Sequence, residues 1–221
     1  MPTYVITGSA SGMGRATAEL LRSEGHTVIG IDLRDAEIVA DLSTAEGRCT
    51  AATEALRLAG GHLDGVVLSA SVVIVSSNST TTVPAVPGGA IRAFLQRDLA
   101  KVFSRTKIFG KNAGAMVYAA SKIAVTRWMR RTAVTPEWAG QGIRMNAIAP
   151  GAIMTPLLKE QLDDPELAGA VEGFPVPVGG YGDPEDIART IAFMLSPATR
   201  FMVGATVFVD GGTDALYRSE D

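Results

Sequence analysis

The segment TGSASGMG, Thr7 to Gly14, decides the interpretation of the fold. It follows the apolar stretch Tyr4 to Ile6, which predicts a buried strand, and precedes Arg15 to Glu24, which has the apolar spacing of a helix. Glycines allow the backbone to turn tightly and to approach a pyrophosphate, and a helix N-terminus offers N–H groups to phosphates. In this context the pattern predicts a dinucleotide-binding turn; a tight turn without a ligand is the alternative. Its candidate cofactor contacts are Gly8, Ser11, Gly12, Met13 and Gly14.

Predicted strands and helices alternate along the rest of the chain. Further strands are predicted at Thr27 to Ile31, Ile38 to Ala40, Leu63 to Leu68, Val72 to Val75, Ile143 to Ile148 and Thr206 to Val209. Helices are predicted at Thr44 to Leu58, Ala90 to Lys107 and Ala115 to Thr135, with loops at Asn78 to Gly89 and Phe174 to Pro184. Because most of these strands are apolar throughout, we expect an α/β fold, a doubly wound and mainly parallel sheet of the Rossmann type, covered by helices on both faces.

The composition favours one soluble domain over residues 1–221. The chain is 47% hydrophobic and 19% charged, and it is long enough for one large core. A net charge of −3, with lysines and arginines read as scattered, gives little support for a nucleic-acid partner or an anionic membrane surface. No apolar run approaches the roughly 18 residues of a membrane span. A small-molecule partner is therefore expected, and no metal site is predicted.

The cysteine content and the N-terminal segment bear on location. Cys49 is the only cysteine, so no intramolecular disulfide framework can form. No charged stretch followed by an apolar one precedes the glycine-rich turn. Both features favour a cytoplasmic protein.

A carboxylate after the second predicted strand indicates the cofactor. Asp32 lies 18 positions beyond Gly14, where it would accept hydrogen bonds from an adenosine ribose and repel a 2′-phosphate. This favours NAD(H) over NADP(H), with Leu33 as a neighbouring contact. Asp41 and Leu42 follow the third predicted strand and are candidates for the adenine edge. An Asp41 that caps the helix beginning near Thr44 is an equally good interpretation.

The sequence YAASK places a phenol and an ammonium on one helix face. Tyr118 and Lys122 are four residues apart. A phenol has an ordinary pKa near 10 and is a poor acid or base at neutral pH, but a nearby ammonium stabilises the phenolate. The pair therefore predicts a proton-transfer site.

Four features of the chain together resemble the short-chain dehydrogenase/reductase family. They are TGSASGMG, the Ser76-Ser77 pair after an apolar strand, YAASK, and RMNAIAPGAIMTPL at 144–157. The resemblance covers nearly the whole chain. Three further features resemble the bacterial hydroxysteroid dehydrogenase/carbonyl reductase subgroup of this family. They are the segment GIDLRDAEIVADLSTAEGR, the 41-position separation of Ser77 from Tyr118, and the ending VDGGTDA. The resemblance implies an NAD-dependent oxidoreductase that interconverts a secondary alcohol and a ketone, with hydroxysteroids or similar bulky alicyclic or carbonyl compounds as substrates.

The resemblance also implies roles for individual residues. Ser77 would polarise the substrate oxygen, with Ser76 as the adjacent alternative; Tyr118 would be the acid/base, and Lys122 would assist it and hold the nicotinamide ribose. Further cofactor contacts implied are Ala70, Pro150, Gly151, Ile153 and Thr155, and residues 155–174 would form a lid over the substrate. A homodimer is expected, through a face other than the usual one of the family.

The junction near Ala70 departs from the family pattern. Neighbouring parallel strands need a crossover of roughly a dozen residues or more, yet only 69–71 separate the strands predicted at 63–68 and 72–75. The crossover helix, with the Asn that the family uses in its proton relay, has no match. Either the natural protein carries a further segment here, or the helix is deleted; an intact mass near 23.0 kDa would exclude the first. We favour the first, because removing a core helix would expose more apolar surface than a stability of about 5–15 kcal/mol can absorb. A catalytically impaired NAD-binding protein is the alternative function.

Overall fold

The computed structural model describes residues 2–61 and 71–220, and its strands form two parallel sheets of three strands each. The first sheet contains β1 (Thr3–Thr7), β2 (Thr27–Asp32) and β3 (Ile38–Val39), in that order. The second contains β4 (Ser71–Val75), β5 (Arg144–Pro150) and β6 (Thr206–Val209). All pairings within them are parallel, which confirms the predicted type of sheet. The predicted strand at 63–68, the junction and Ala70 lie outside the described residues.

The first sheet is covered by helices whose apolar faces follow the predicted spacing. Helix α1 (Gly12–Ser23) follows the glycine-rich turn, and α2 (Ala45–Leu58) follows β3. Ile29 and Ile31 of β2 pack with Ala51 and Ala55 of α2 in one buried cluster. The β-branched side chains suit a strand that is buried on both faces.

Between β4 and β5 lies a helical segment that the sequence predicted only in part. It contains α3 (Ser79–Thr82), α4 (Gly88–Leu95), α5 (Leu99–Thr106), a 3₁₀ turn (Lys107–Asn112) and α6 (Ala113–Thr132).

Two predictions for this segment were wrong. The loop predicted at 78–89 contains α3, and the continuous helix predicted at 90–107 is divided into α4 and α5. The division occurs at Arg97, whose φ of +60° is incompatible with a right-handed helix. Asp98 then starts α5, because its carboxylate accepts a hydrogen bond from the Lys101 N–H at 2.9 Å.

The last third of the chain adds four helices: α7 (Pro156–Asp163), α8 (Ala168–Glu172), α9 (Pro184–Leu195) and α10 (Thr213–Tyr217). The sequence analysis predicted no helix at α9. Its signals are local: Asp183 and Asp186 form a capping box around Pro184, the first helical residue. The segment expected to act as a lid contains α7 and α8.

Helices on opposite faces hold the second sheet and join it to the first. Met129 of α6 packs on Met145 and Ala147 of β5. On the other face, Ile187 and Met194 of α9 pack against Ile148 and further residues of the same cluster. Leu21 of α1 shares a cluster with Ala192 and Leu195 of α9, so α1 and α9 connect the two sheets.

A cavity of about 830 Å³ lies between the two sheets. Its described lining residues include all of β1, all of β4, and parts of the glycine-rich turn and α7. Among the described residues, β1 and β4 are not paired with each other. The glycine-rich turn belongs to the first sheet, and the Ser76–Ser77 pair follows the second.

Candidate functional site

The glycine-rich turn is folded tightly back against β2. Gly8 has a φ of +71°, a conformation that glycine adopts without strain, and its N–H donates to the carbonyl oxygen of Ile31 at 2.9 Å. A Cβ atom at Gly14 would overlap the carbonyl oxygen of Gly8. The turn thus requires glycine at both positions, and Gly8, Ser11, Gly12, Met13 and Gly14 all border the cavity.

The N-terminus of α1 is open toward the same cavity. Ser11 is the N-cap residue in an extended conformation, and its side chain makes no capping hydrogen bond with the described residues. The first-turn N–H groups are therefore available to an anionic ligand. Thr155 lies opposite, since a Cβ at Gly12 would lie 3.6 Å from its Cγ2. A glycine cradle facing an uncapped helix start fits the pyrophosphate of a dinucleotide.

Asp32, the last residue of β2, is tied to the turn. Its Oδ2 accepts a hydrogen bond from the N–H of Ala10 at 3.0 Å, and its Oδ1 accepts from the N–H of Leu33 at 2.7 Å. A carboxylate has about four acceptor sites, so both oxygens retain the capacity to bind a ribose hydroxyl. The Leu33 side chain beside it is exposed.

The two candidates for the adenine edge differ in their surroundings. Asp41 Oδ1 accepts from the N–H of Ser43 at 2.9 Å, and hydrogen bonds from Ser43 hold the pKa of this exposed carboxyl below its usual value. The N-cap of α2 is Thr44, whose Oγ1 accepts from the Gly47 N–H, so the capping role considered for Asp41 is wrong. Leu42 packs against the core of the first sheet.

Tyr118 and Lys122 lie on one face of α6, as their spacing predicts. The Nζ of Lys122 is 5.6 Å from the centroid of the Tyr118 ring and donates to the carbonyl oxygen of Val75 at 3.1 Å. Burial lowers the pKa of Lys122 below its usual 10.5. The Tyr118 side chain is half exposed and so remains accessible to a ligand.

The two serines after β4 have different hydrogen-bond partners. Ser76 Oγ lies 2.7 Å from Thr126 Oγ1, and Thr126 donates its own proton to the carbonyl oxygen of Lys122 at 2.8 Å. The Ser76 hydroxyl must therefore be the donor in that pair, which commits its proton. Ser77 Oγ instead accepts from the N–H of Ser79 at 3.1 Å, and its proton has no acceptor among the described residues.

Two polar side chains next to Ser77 were missed as site candidates. Asn78 and Ser79 are both more than 90% buried, yet Asn78 Nδ2 and Ser79 Oγ have no hydrogen-bond partner among the described residues. Buried polar atoms rarely remain unsatisfied, so these groups point to a polar ligand or to water beside Ser77. The run Ser76-Ser77-Asn78-Ser79 directly after an apolar strand was the available signal.

At the end of β5 and just after it, some predicted cofactor contacts face neighbouring backbone and one lies in the core. Pro150 accepts a hydrogen bond from the Asn78 N–H at 3.0 Å, which joins the ends of β4 and β5. Gly151 lies so close to Asp210 that a Cβ would overlap the Asp210 backbone. The Ile153 side chain is buried with Ile187, so only its backbone can face a ligand.

No described helix is both long enough and apolar enough to cross a membrane.

Comparison with known proteins places these features in context. Residues 100–214 match the family model described as enoyl-(acyl carrier protein) reductase. The chain is 36% identical to the 3-alpha-hydroxysteroid dehydrogenase/carbonyl reductase of Comamonas testosteroni, with 99% of this chain and 98% of the relative covered. It is 31% identical to 3beta-hydroxysteroid dehydrogenase 1 of Eggerthella lenta, covering 95% and 92%.

A solved structure shows a similar fold. It is the crystal structure of the 3-alpha-hydroxysteroid dehydrogenase from Pseudomonas sp. B-0831 complexed with NADH, which matches with a TM-score of 0.87 and 38% identity over 99% of both chains. This similarity confirms the predicted fold class.

The alignment with the Comamonas relative is longer than this chain. It extends over 255 positions, whereas this chain has 221 residues, so at least 34 aligned positions have no residue here. That shortfall is long enough to contain a crossover helix.

Proposed function

This chain belongs to the short-chain dehydrogenase/reductase family, and we propose that it uses NAD(H) to interconvert a secondary alcohol and a ketone. The observation that carries the proposal is the set of polar side chains after β4 and in the first half of α6. The hydroxyl of Ser77, which follows β4, has no acceptor for its proton among the described residues, and an accessible phenol lies beside a lysine ammonium on α6.

In this proposal Tyr118 transfers the proton, and two other residues prepare the site. The Ser77 hydroxyl donates a hydrogen bond to the substrate oxygen, since its proton is directed at no described protein acceptor. The Lys122 ammonium, held by the carbonyl oxygen of Val75, favours the charged phenolate next to it. The bound nicotinamide would supply or accept the hydride.

The cofactor contacts proposed here follow from the shape of the turn. The cradle of Gly8, Gly12 and Gly14 and the open start of α1 would hold the pyrophosphate, and Asp32 would hold the adenosine ribose. A carboxylate at the end of β2 repels a 2′-phosphate, which supports NAD(H) over NADP(H). Asp41, Thr155 and the backbone at 150–153 complete the proposed cofactor site, with Leu33 and Leu42 as apolar neighbours.

The proposed substrates are hydroxysteroids or similarly bulky alicyclic alcohols and carbonyl compounds. The support is the similarity to hydroxysteroid dehydrogenases from two bacteria. A homodimer through a face other than the usual one of the family also remains our prediction, as does the cytoplasmic location.

A specific observation favours a second candidate, an NAD-binding protein with impaired catalysis. At least 34 positions of the alignment with the Comamonas relative have no residue in this chain, which is enough to remove a crossover helix that helps to place the catalytic residues. Catalysis depends on precise mutual placement of reacting groups, and a 1 Å displacement can cost about 100-fold in rate. Binding of the dinucleotide at the first sheet alone needs no such precision.

One experiment separates the two candidates. NADH binding is followed by titration of protein fluorescence, and turnover is followed by NADH absorbance with a panel of 3-hydroxysteroids. If the chain is the proposed enzyme, we expect it to oxidise these steroids, and we expect Tyr118→Phe to lower kcat by about 100-fold or more while NADH still binds. Tyr217→Phe, an exposed tyrosine on α10, serves as the matched control. NADH binding without turnover in the parent protein would instead establish the impaired binder.

A further inference from the structure

The basic residues of the chain are concentrated in one segment. Residues 88–131 contain ten of the 20 lysines and arginines but only one of the 23 acidic residues, Asp98. Their formal net charge is +9, against −12 for the rest of the chain. The expectation of scattered basic residues is therefore wrong for this segment; the net charge of −3 is the sum of a basic segment and an acidic remainder of the chain.

These charges are exposed, and they have no ionic partners in the part of the chain that the structure describes. Apart from the partly buried Lys122, the segment has nine basic residues, which we call the basic layer: Arg92, Arg97, Lys101, Arg105, Lys107, Lys111, Arg127, Arg130 and Arg131. All nine are exposed, and none forms an ion pair with a described carboxylate. Elsewhere, by contrast, five arginines, including Arg15 and Arg57, are paired with carboxylates. The basic layer thus presents uncompensated charge.

Large apolar side chains lie among these cations. Leu99 and Phe103 are one turn apart on α5 and are 56% and 60% exposed, while Val102 and Thr106 of the same helix face inward. Ile108, between Lys107 and Lys111 in sequence, is 78% exposed. Exposed apolar groups interspersed with lysine and arginine are typical of surfaces that lie in the interface of an anionic bilayer.

The packing of α4, α5 and α6 brings parts of the basic layer and its apolar neighbours together. The three helices contact one another. Arg97, after α4, and Trp128 of α6 border the same groove of about 280 Å³, and the Arg105 side chain lies along Gly89 at the start of α4. Tryptophan beside a cation is also characteristic of membrane interfaces.

We propose that the basic layer and the neighbouring side chains of Leu99, Phe103 and Ile108 bind the surface of an anionic lipid bilayer. The cations would pair with headgroups, and the apolar side chains would enter the boundary of the acyl chains. A nucleic acid would bind the cations through its phosphates but would leave these apolar side chains exposed to water. A second copy of the same face would bring +9 against +9, which opposes self-association.

Bilayer binding would place the proposed active site where apolar substrates concentrate. α6 carries both Tyr118 and part of the basic layer. This benefit rests on the proposed function, whereas binding to vesicles does not. Tyr118→Phe is therefore expected to bind vesicles like the parent, so failure of either proposal can be recognised separately.

The test is flotation of the full chain with vesicles of phosphatidylcholine, with and without 40% phosphatidylglycerol as the chosen anionic fraction. We expect binding only to the anionic vesicles, and weaker binding as the Debye length falls from about 10 Å at 0.1 M salt to about 3 Å at 1 M. The triple variant Lys101→Glu, Lys107→Glu, Lys111→Glu should lower the partition coefficient about tenfold or more. The matched control, Arg57→Glu, Arg189→Glu, Arg200→Glu, should retain binding.

The apolar contribution has its own variants. Phe103→Ser with Ile108→Ser should weaken binding to anionic vesicles at least about fivefold, while Phe201→Ser, at a more exposed phenylalanine outside the segment, should not. Thermal unfolding verifies that every variant is folded. Absence of binding, equal binding to both vesicle types, or binding to duplex DNA without vesicle binding would overturn the proposal. The proposal would also be overturned if the parent protein did not bind vesicles but formed an oligomer that the charge-reversal variant dissociated.

Discussion

Lys122 donates a hydrogen bond of 3.1 Å from its Nζ to the carbonyl oxygen of Val75, which joins α6 to the last residue of β4. The bond holds an ammonium in a largely buried position beside the Tyr118 ring. Burial disfavours the charged form and lowers the pKa of Lys122 below 10.5. Burial of this lysine therefore lowers the free energy of unfolding, but the proposed chemistry requires an ammonium at this position.

This cost gives stability a defined dependence on pH. Between the lowered pKa of Lys122 and 10.5, the unfolded chain binds more protons than the folded chain, so the free energy of unfolding contributed by this group rises with pH. Relative to Lys122→Met, the parent should gain stability from pH 8 to pH 10, measured by urea unfolding. Lys101→Met, at an exposed lysine of α5, controls for the loss of one charge. A difference that stays constant or falls with pH would contradict the assignment.

The two serines after β4 should respond differently to alanine. Ser77→Ala removes the proposed donor to the substrate oxygen and should lower kcat by about 100-fold or more, as the loss of an oxyanion donor does elsewhere. Ser76→Ala removes the hydrogen bond to Thr126 and should instead lower the free energy of unfolding by about 1 kcal/mol. Steady-state kinetics and urea unfolding of both variants check this. If Ser76→Ala were the variant that lost turnover, the assignment of the two roles would be reversed.

Asp32 should control the choice of cofactor. Asp32→Asn removes a negative charge and one acceptor oxygen, so the Kd for NADH should rise about 10-fold to 100-fold while that for NADPH changes less. Fluorescence titration with both dinucleotides measures the ratio. Asp35→Asn is the control, because this exposed residue has a φ of +52° that asparagine tolerates. An unchanged NADH to NADPH ratio would disprove the role of Asp32.

Gly14 should be intolerant of any side chain. A Cβ there would overlap the Gly8 carbonyl, so Gly14→Ala should lower the free energy of unfolding by about 1–3 kcal/mol and weaken NADH binding. Gly114, exposed in the first turn of α6, has nothing within 4 Å of its Cβ position. Gly114→Ala should therefore raise stability, by up to about 1 kcal/mol, in the same urea experiment. Equal effects of the two substitutions would contradict the close packing of the turn.

The local parts of the fold and site were predictable from the sequence. The strand, turn and helix around Thr7 to Gly14, the placement of Asp32 at the end of β2, and the shared face of Tyr118 and Lys122 all depend on spacing within a few residues. The break between α4 and α5 was missed because the apolar spacing continues through it; a single left-handed residue, Arg97, ends the helix. The helix α9 was missed although its capping box is present in the sequence.

What the sequence by itself determined is the class of fold, the glycine-rich turn between β1 and α1, and the residue types available for chemistry, because each is encoded by periodicity or by short motifs. Only the tertiary structure decided which serine hydroxyl has no acceptor for its proton among the described residues, how far Lys122 is buried, and that the nine exposed cations have no carboxylate partner in the described ranges. Those properties depend on contacts between residues that are distant in the chain. Local spacing determines which way a side chain points, but not what lies opposite it.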